Sequence, residues 1–113
     1  MARKNEPGYV YVFSNKSLPY LKIGHTKNSP KERARQLTKR EKRERPFNVE
    51  WAGRVKSCYD AEQFLLKHFK QHHVEREFFD IDKQEAINLL RGKFGAVEEA
   101  IVRKGLLEGR PIL

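Results

Sequence analysis

Hydrophobic and polar positions near the start of this chain follow the period of β-strands. Residues 9–13 are β-branched or aromatic throughout, which is typical of a strand that is covered on both faces. Residues 21–25 alternate apolar with polar or small side chains, which predicts a second strand. Turn-forming residues at 14–19 separate the two segments. We therefore expect the two strands to form an antiparallel hairpin.

Helical signals follow the hairpin. Ser29 can cap a helix, Pro30 suits its first position, and Glu32 stands three residues after the cap. Only Ala34 and Leu37 give this helix an apolar side. We expect an amphipathic helix whose dominant face is basic.

The rest of the chain predicts one more strand and two more helical regions. Apolar positions over 47–55 predict the third strand, and Asp60 is the expected cap of the next helix. Residues 78–81 are typical of a short extended piece. Asp82 would cap a last helical region, in which apolar residues recur at spacings of three and four. That stripe comprises Ile87, Leu90, Phe94, Val97 and Ile101.

This element order, β-β-α-β-α and then a terminal helix, predicts an α+β fold. We expect a small three-stranded antiparallel sheet flanked by helices, in a single domain of residues 1–113. The core of that domain would cover about residues 8–91, and residues 92–113 would form a C-terminal helical extension.

The positive charge of the chain is clustered. There are 24 Lys and Arg residues against 15 Asp and Glu, a net charge of +9. Eight of the basic residues and three of the acidic ones lie between positions 31 and 45, so this segment alone carries +5. Such clustering favours a polyanion, and nucleic acid above all, as the partner.

Composition also excludes several classes of protein. No apolar run is long enough for a membrane span, and no apolar leader segment follows Met1, so we expect a soluble cytoplasmic protein. The single cysteine, Cys58, excludes an internal disulfide and a multi-cysteine zinc site.

Four side chains in these elements suit the metal-assisted cleavage of phosphodiester bonds. They are Tyr11 on the first strand, Lys22 on the second, Arg33 on the basic helix and Glu62 at the start of the next helix. A guanidinium holds phosphate oxygens with its planar fork, and a carboxylate recruits a hard divalent cation. A phenol or an amine near the attacking water can take its proton.

Five short segments that carry these residues occur in a fixed order along the chain. They are Tyr9-Val10-Tyr11, Lys22-Ile23-Gly24, Ser29-Pro30 with Arg33 and Leu37, Ala61-Glu62 with Leu65, and Arg76-Glu77-Phe78-Phe79. Together they resemble the motifs of the GIY-YIG nuclease superfamily, in particular its small stand-alone phage and bacterial branch. The resemblance covers about residues 8–91, and Lys22 stands where the second signature of the superfamily has a tyrosine.

The resemblance implies a DNA endonuclease that uses a single Mg²⁺ or Mn²⁺ ion. Tyr11 would be the general base or would orient the water, Arg33 would bind the scissile phosphate, and Glu62 would be the sole protein ligand of the metal. Gly24 would let the backbone approach closely at the second strand. We expect Lys22 to be mainly an electrostatic partner of the phosphate, on the same side of its strand as Gly24.

Further contacts to DNA are expected from the second strand and from the basic segment. These candidates are Gly24, His25, Lys31, Arg35, Lys39, Arg40, Lys42 and Arg43. Because no separate targeting domain is evident, specificity would come from this domain, from a homodimer or from a separate targeting partner.

Each catalytic candidate also has a purely structural interpretation. Tyr11 could be a core tyrosine, Arg33 one cation among eight, and Glu62 a carboxylate that stabilises a helix start. The main alternative function is therefore a catalytically inactive nucleic-acid-binding module on the same fold. A third hypothesis is a basic domain that binds a protein partner or an RNA surface without cleavage.

A zinc site is the alternative for the histidines. His68 and His72 are four residues apart and would share a helix face, with Cys58 as a possible third ligand. Histidines at a solvated helix end, where they suit the negative dipole, are the competing interpretation.

Overall fold

Strands, most of them in consecutive pairs, and single helices make up the fold. The structure, a computed structural model, describes residues 6–94, 98–103 and 106–111. The strands are β1 (Gly8–Ser14), β2 (Leu21–Thr26), β3 (Asn48–Val55), β4 (His73–Glu75), β5 (Phe78–Phe79), β6 (Glu98–Arg103) and β7 (Leu106–Pro111). The helices are α1 (Pro30–Arg40), α2 (Cys58–His68) and α3 (Lys83–Phe94), and a single 3-10 turn spans Lys70–His72. The predicted α+β class is confirmed.

The strands form one antiparallel sheet in the order β4-β5-β2-β1-β3-β6-β7. The predicted hairpin is β1–β2, and β3 pairs with β1 from the other side, so the three expected strands form the centre of the sheet. The expected number of three strands is wrong, because five strands lie within residues 6–94 and two more follow. The extended piece expected at Phe78 is strand β5, which pairs with β2. At two and three residues, β5 and β4 are too short to show a strand period in the sequence.

The predicted helical extension over residues 92–113 is also wrong. Helix α3 ends at Phe94, and β6 and β7 pair as an antiparallel hairpin whose first strand adds to β3. Val97 of the expected apolar stripe lies outside the described residues, and Ile101 lies in β6. Ile101 and Val102 are β-branched and favour strands. This preference outweighs the helical spacing of the apolar stripe, which Val97 and Ile101 alone continue beyond Phe94.

Both faces of β1 are buried, as the sequence predicts. Val10 and Val12 pack into a core cluster with residues of α2 and α3, whereas Tyr11 and Phe13 pack into a second cluster with residues of α1. The four side chains are fully buried. Successive side chains of a strand point to opposite faces, so helices cover the sheet on both sides. Tyr11 therefore belongs to the face that α1 covers.

The caps of the helices agree with the sequence at two positions and differ at one. The Ser29 side chain accepts a hydrogen bond from the backbone N–H of Glu32, and Asp82 accepts from the first turn of α3, as expected. Helix α2 begins earlier than expected, because the Ser57 hydroxyl caps it and Asp60 lies in its first turn. Among the helices of the described residues, none is long and apolar enough to cross a membrane.

Candidate functional site

A cleft opens along β2 between α1, α2 and the β4–β5 hairpin. Its volume is about 710 Å³, and Gly24, Arg33, Glu62 and Glu77 are among its lining residues. A second cleft of about 350 Å³ shares Arg33, Arg76 and Glu77 with the first. We call the two the main cleft and the basic cleft. The basic cleft is lined by Lys22, Arg33, Leu37, Arg40, Glu41, Arg43, Arg76 and Glu77.

Tyr11 lies beneath the junction of the two clefts. Its hydroxyl donates a hydrogen bond to Oε1 of Glu77 at 2.6 Å. Its ring stacks on Phe13 with centroids 4.0 Å apart and an angle of 11° between the planes. Burial, followed by the negative charge of Glu77, raises the pKa of Tyr11, and the opposing influence of Arg33 is smaller. Tyr11 is therefore held as a neutral phenol in a fixed orientation.

Gly24 makes the contact between Tyr11 and Glu77 possible. It lies directly opposite Tyr11 in the β1–β2 register. A Cβ atom on Gly24 would lie 2.6 Å from Oε1 of Glu77 and 2.7 Å from the Tyr11 oxygen, closer than any side chain tolerates. The backbone N–H of Ile23 donates to the Glu77 carbonyl at 3.0 Å and fixes the hairpin corner against β2. A glycine inside a strand is useful where another group must approach its backbone closely.

Arg33 projects from α1 to the junction of the clefts, since it lines both of them. Its Nε is buried and has no hydrogen-bond partner among the described residues. A buried donor without a partner costs about 1–3 kcal/mol, which an acceptor entering the cleft would recover. The guanidinium is thus prepared for an anion with oxygen acceptors.

Glu62 reaches the main cleft from the first half of α2. Its Oε2 lies 3.4 Å from Nε2 of His25 on β2, and about a quarter of each side chain is exposed. Among the described residues, no group of three or more His, Cys, Asp or Glu side chains could hold a metal ion. The donor set fits a hard divalent cation that takes one protein carboxylate and completes its shell with water and phosphate oxygens.

Lys22 has a partner that the sequence did not indicate. It shares the face of Tyr11, as expected, but its buried ammonium forms an ion pair with Glu41, the residue that follows α1. The ammonium also lies 4.3 Å from the centre of the Phe78 ring. Burial would raise the pKa of Glu41, but the hydrogen bonds from Lys22 and Arg43 outweigh it and hold that pKa below its ordinary value. The charge of Lys22 is therefore largely neutralised before any phosphate enters.

The expected DNA-binding residues divide between two sides of α1. Gly24 and His25 line the main cleft, and Arg40 and Arg43 line the basic cleft. The remaining candidates line a separate groove on the other side of the helix, which Arg43 also borders; they are Lys31, Arg35, Lys39 and Lys42. Of these, Arg35 is paired with Glu32 at 2.6 Å. Positions 33, 37 and 40 share one helix face, which explains the division.

Among the described residues, His68, His72 and Cys58 do not come together as a zinc site. Cys58 is buried where a Cβ on Gly8 would meet its sulfur, and burial raises the pKa of its thiol. The His68 ring packs against Phe64 in a tilted arrangement, with centroids 4.4 Å apart and an angle of 31° between the planes. His72 belongs to the 3-10 turn rather than to α2, so the two histidines do not share a continuous helix.

Sequence reasoning missed three residues of this site. The motif comparison included Arg76 and Glu77 but assigned them no function, and Glu41 contributed only to the charge of the basic segment. A usable signal existed for Glu77, because a buried tyrosine hydroxyl needs an acceptor. A buried lysine likewise needs a carboxylate, although the sequence does not say which one.

Comparison with known protein families gives one match. A family model of the T5orf172 domain matches residues 8–93, which is most of the chain and contains both clefts. No curated protein and no solved structure matches the chain. The chain belongs to the T5orf172 domain family.

Proposed function

We propose that this protein is an endonuclease that hydrolyses phosphodiester bonds in DNA at a site of the GIY-YIG type, with one Mg²⁺ or Mn²⁺ ion. Membership of the T5orf172 family is compatible with a nuclease and consistent with nucleic-acid interaction. The observation that carries the proposal is the unpartnered, buried Nε of Arg33 at the junction of the two clefts. That donor lies in the same cleft as Glu62 and Glu77.

Arg33 supplies the phosphate contact in this proposal. Its planar guanidinium binds two oxygens of one phosphate, and Nε gains the acceptor that it lacks among the described residues. Arg40 and Arg76 also line the basic cleft, and they extend the positive surface along the path of the DNA backbone in this proposal. A phosphodiester held there would lie at the junction that Arg33 and Glu77 both line, above the buried Tyr11.

The remaining residues divide the chemistry. Tyr11 orients the attacking water, because its hydroxyl is fixed by Glu77 and its ring by Phe13. Glu62 would hold the metal ion, with His25 beside it to keep the carboxylate in place. The ion, when bound, supplies positive charge that stabilises the charge developing on the phosphate oxygens.

Cleavage of supercoiled plasmid tests the proposal. The purified protein should convert it to nicked or linear forms with Mg²⁺ or Mn²⁺ and not with EDTA. Glu62→Gln should abolish cleavage while duplex binding in EDTA, followed by fluorescence anisotropy, changes less than about two-fold.

Asp60→Asn is the matched control for Glu62→Gln. It removes a carboxylate from the first turn of the same helix, two residues before Glu62, and Asp60 faces a different groove. Both changes remove a negative charge near the N-terminus of α2, and the interaction with the helix dipole is the larger for Asp60. Equal loss of cleavage in the two variants would assign Glu62 a structural role and contradict a metal site.

A catalytically inactive binding module is the second candidate. The ion pair of Lys22 with Glu41 favours it, because Lys22 stands at the position of a tyrosine in the superfamily and its charge is already engaged. Wild-type protein that binds DNA but cleaves nothing with either metal would establish this function in place of the first.

A further inference from the structure

We propose that Glu77 is the terminal proton acceptor of the site and that it acts through Tyr11, which relays the proton of the attacking water. The inference rests on the proposed nuclease function. It assigns to Glu77 a role that the resemblance gave to no carboxylate. Because Glu77 acts through another side chain, it is a positioning residue.

The geometry of the pair carries this assignment. The Tyr11 hydroxyl has a single hydrogen, and it is donated to Glu77 at 2.6 Å. The phenol oxygen therefore keeps a lone pair that can accept a hydrogen. Tyr11 is fully buried and lines neither cleft, so in the proposed step the water reaches it from beside Glu77, which lines both. Gly24 leaves the space in which the two oxygens meet.

Tyr11 alone is a poor base in this setting. Burial and the adjacent carboxylate raise its pKa, so the free phenolate is costly to form. A relay avoids the phenolate, because the phenol loses one proton to Glu77 as it gains another from water. Glu77 lines both clefts and is partly exposed, so it can return the proton to solvent after each turnover.

The step balances in atoms and charge. The water oxygen forms a bond to phosphorus while one water proton moves to the Tyr11 oxygen. The former phenol proton moves to Oε1 of Glu77, and the bond between phosphorus and the leaving oxygen breaks. The leaving oxygen takes a proton from solvent, so Tyr11 begins and ends as a neutral phenol.

Charged groups surround Glu77 from every neighbouring element. Arg33 of α1, Lys22 of β2 and the adjacent Arg76 are cations, and His25, Glu62 and His73 are ionisable side chains of the main cleft. Of these, Lys22 is engaged by Glu41 and His25 by Glu62. The other charged residues that line the two clefts are Arg40, Glu41, Arg43 and Lys70. Arg33, Lys22 and Arg76 therefore lie beside the carboxylate that accepts the proton in the proposed step.

The test compares Glu77→Gln with Glu77→Asp and with the matched control Glu75→Gln. Glu75 is a carboxylate of the same hairpin that lines neither cleft. Glu77→Gln should lower single-turnover plasmid cleavage by about 100-fold or more at pH 7.5, the usual scale of a lost general base. Glu77→Asp should recover part of that loss, and Glu75→Gln should cleave like wild type.

The pH profile separates a proton acceptor from a structural residue. The remaining rate of Glu77→Gln should rise about ten-fold per pH unit up to about pH 9.5, because hydroxide then takes over the base function. The rate of the wild type should change far less. A Glu77→Gln variant that is impaired but keeps the wild-type pH profile would overturn the relay.

A second measurement does not need activity. In protein labelled with ¹³C at the tyrosine ring carbon that bears oxygen, Tyr11→Phe identifies the Tyr11 signal. At pH 7.5, Glu77→Gln should shift the Tyr11 signal, because the phenol then faces a neutral amide instead of a carboxylate oxygen at 2.6 Å. An unchanged Tyr11 signal would overturn the contact, even if the wild type cleaves. If the wild type cleaves nothing, the nuclease proposal fails first, and the relay fails with it while the contact stands.

Discussion

Replacing Gly24 by alanine should separate Tyr11 from Glu77 and abolish cleavage. The added Cβ would lie 2.6 Å from Oε1 of Glu77 and 2.7 Å from the Tyr11 oxygen, where ordinary contacts begin at 3.4 Å. Tyr11 is fully buried and stacked on Phe13, whereas Glu77 is partly exposed at a hairpin corner. The Glu77 side chain is therefore the part that gives way.

The size of the effect follows from these distances. Relief of the clash requires Oε1 to move by about 0.8 Å, which is 3.4 minus 2.6. If that shift lengthens the 2.6 Å bond to Tyr11 by the same amount, the oxygens lie about 3.4 Å apart, beyond hydrogen-bond length. Loss of a bond to a charged group, with some overpacking, should reduce the free energy of unfolding by about 2–4 kcal/mol.

Two other glycines provide matched controls for urea unfolding and plasmid cleavage. An alanine at Gly92 meets nothing within 4 Å, so Gly92→Ala should keep or slightly raise stability through helix propensity. An alanine at Gly8 would overlap the Cys58 sulfur and the Thr26 carbonyl. Gly8→Ala should therefore destabilise the fold without touching the Tyr11–Glu77 pair.

The decisive comparison is made at a temperature where all variants are folded. Gly24→Ala should then have lost cleavage and Gly8→Ala should retain it, although both are less stable than the wild type. The reasoning is refuted if Gly24→Ala cleaves at the wild-type rate, or if its Tyr11 carbon signal is unchanged.

Three further predictions concern other parts of the molecule. Arg40→Gln should flatten the dependence of DNA affinity on salt by about 0.9 log units per decade, whereas Lys39→Gln, on the other side of α1, should not; equal slopes would contradict the placement of DNA in the basic cleft. Glu41→Gln should lower the free energy of unfolding by about 3 kcal/mol at pH 7, because it leaves the Lys22 ammonium buried without its carboxylate. The folded-state pKa of Glu41 is depressed, so the stability that its carboxylate contributes is present above the ordinary carboxyl pKa and is lost as the pH falls through the lower folded value. The free energies of unfolding of the wild type and Glu41→Gln, measured with urea, should therefore converge in acid. Cys58, buried and with a raised pKa, should react with iodoacetamide at pH 8 only after unfolding, and rapid labelling of the native protein would contradict its burial.

Local signals account for most of the fold that the sequence predicts. The β1–β2 hairpin, the Ser29 cap and the two-sided burial of β1 depend on residues close together in the chain. The cap of α2 was misplaced because Ser57 and Asp60 are both good caps, and only the backbone position decides between them. The C-terminal hairpin was missed because apolar residues at 97 and 101 fit a helix as well as a strand.

A β-bulge between β1 and β3 changes which side chains of β3 share a face, and the two-residue period of a strand does not predict it. Val49 and Trp51 have the spacing of one strand face, yet they pack into different core clusters. The register between β1 and β3 shifts between Val12 and Phe13, so Val12 pairs with Trp51 and Phe13 with Val49. One extra residue in a strand reverses the faces beyond it. Nothing in the sequence marks this position.

Local sequence signals identify only some residues of the candidate site, and the others depend on tertiary contacts. Residue types and motif spacing identify Arg33 and Glu62, and the structure brings both to one cleft. The site also contains two carboxylates that are distant in sequence from the groups they bind: Glu77 is 66 positions from Tyr11, and Glu41 is 19 from Lys22. Burial dictates that a phenol and an ammonium have such partners, but the choice among 15 acidic residues is made by tertiary packing.

These two carboxylates give neighbouring cations different roles. Glu41 and the aromatic ring of Phe78 satisfy Lys22, so its charge mainly holds the end of α1 against the sheet. Arg33, on the same side of the sheet, keeps a buried donor without a partner among the described residues. A phosphate that enters the cleft therefore gains most from Arg33, because that contact removes an existing cost, whereas a contact to Lys22 would have to compete with Glu41. Of the two cations, Arg33 is the one that the fold leaves available for phosphate.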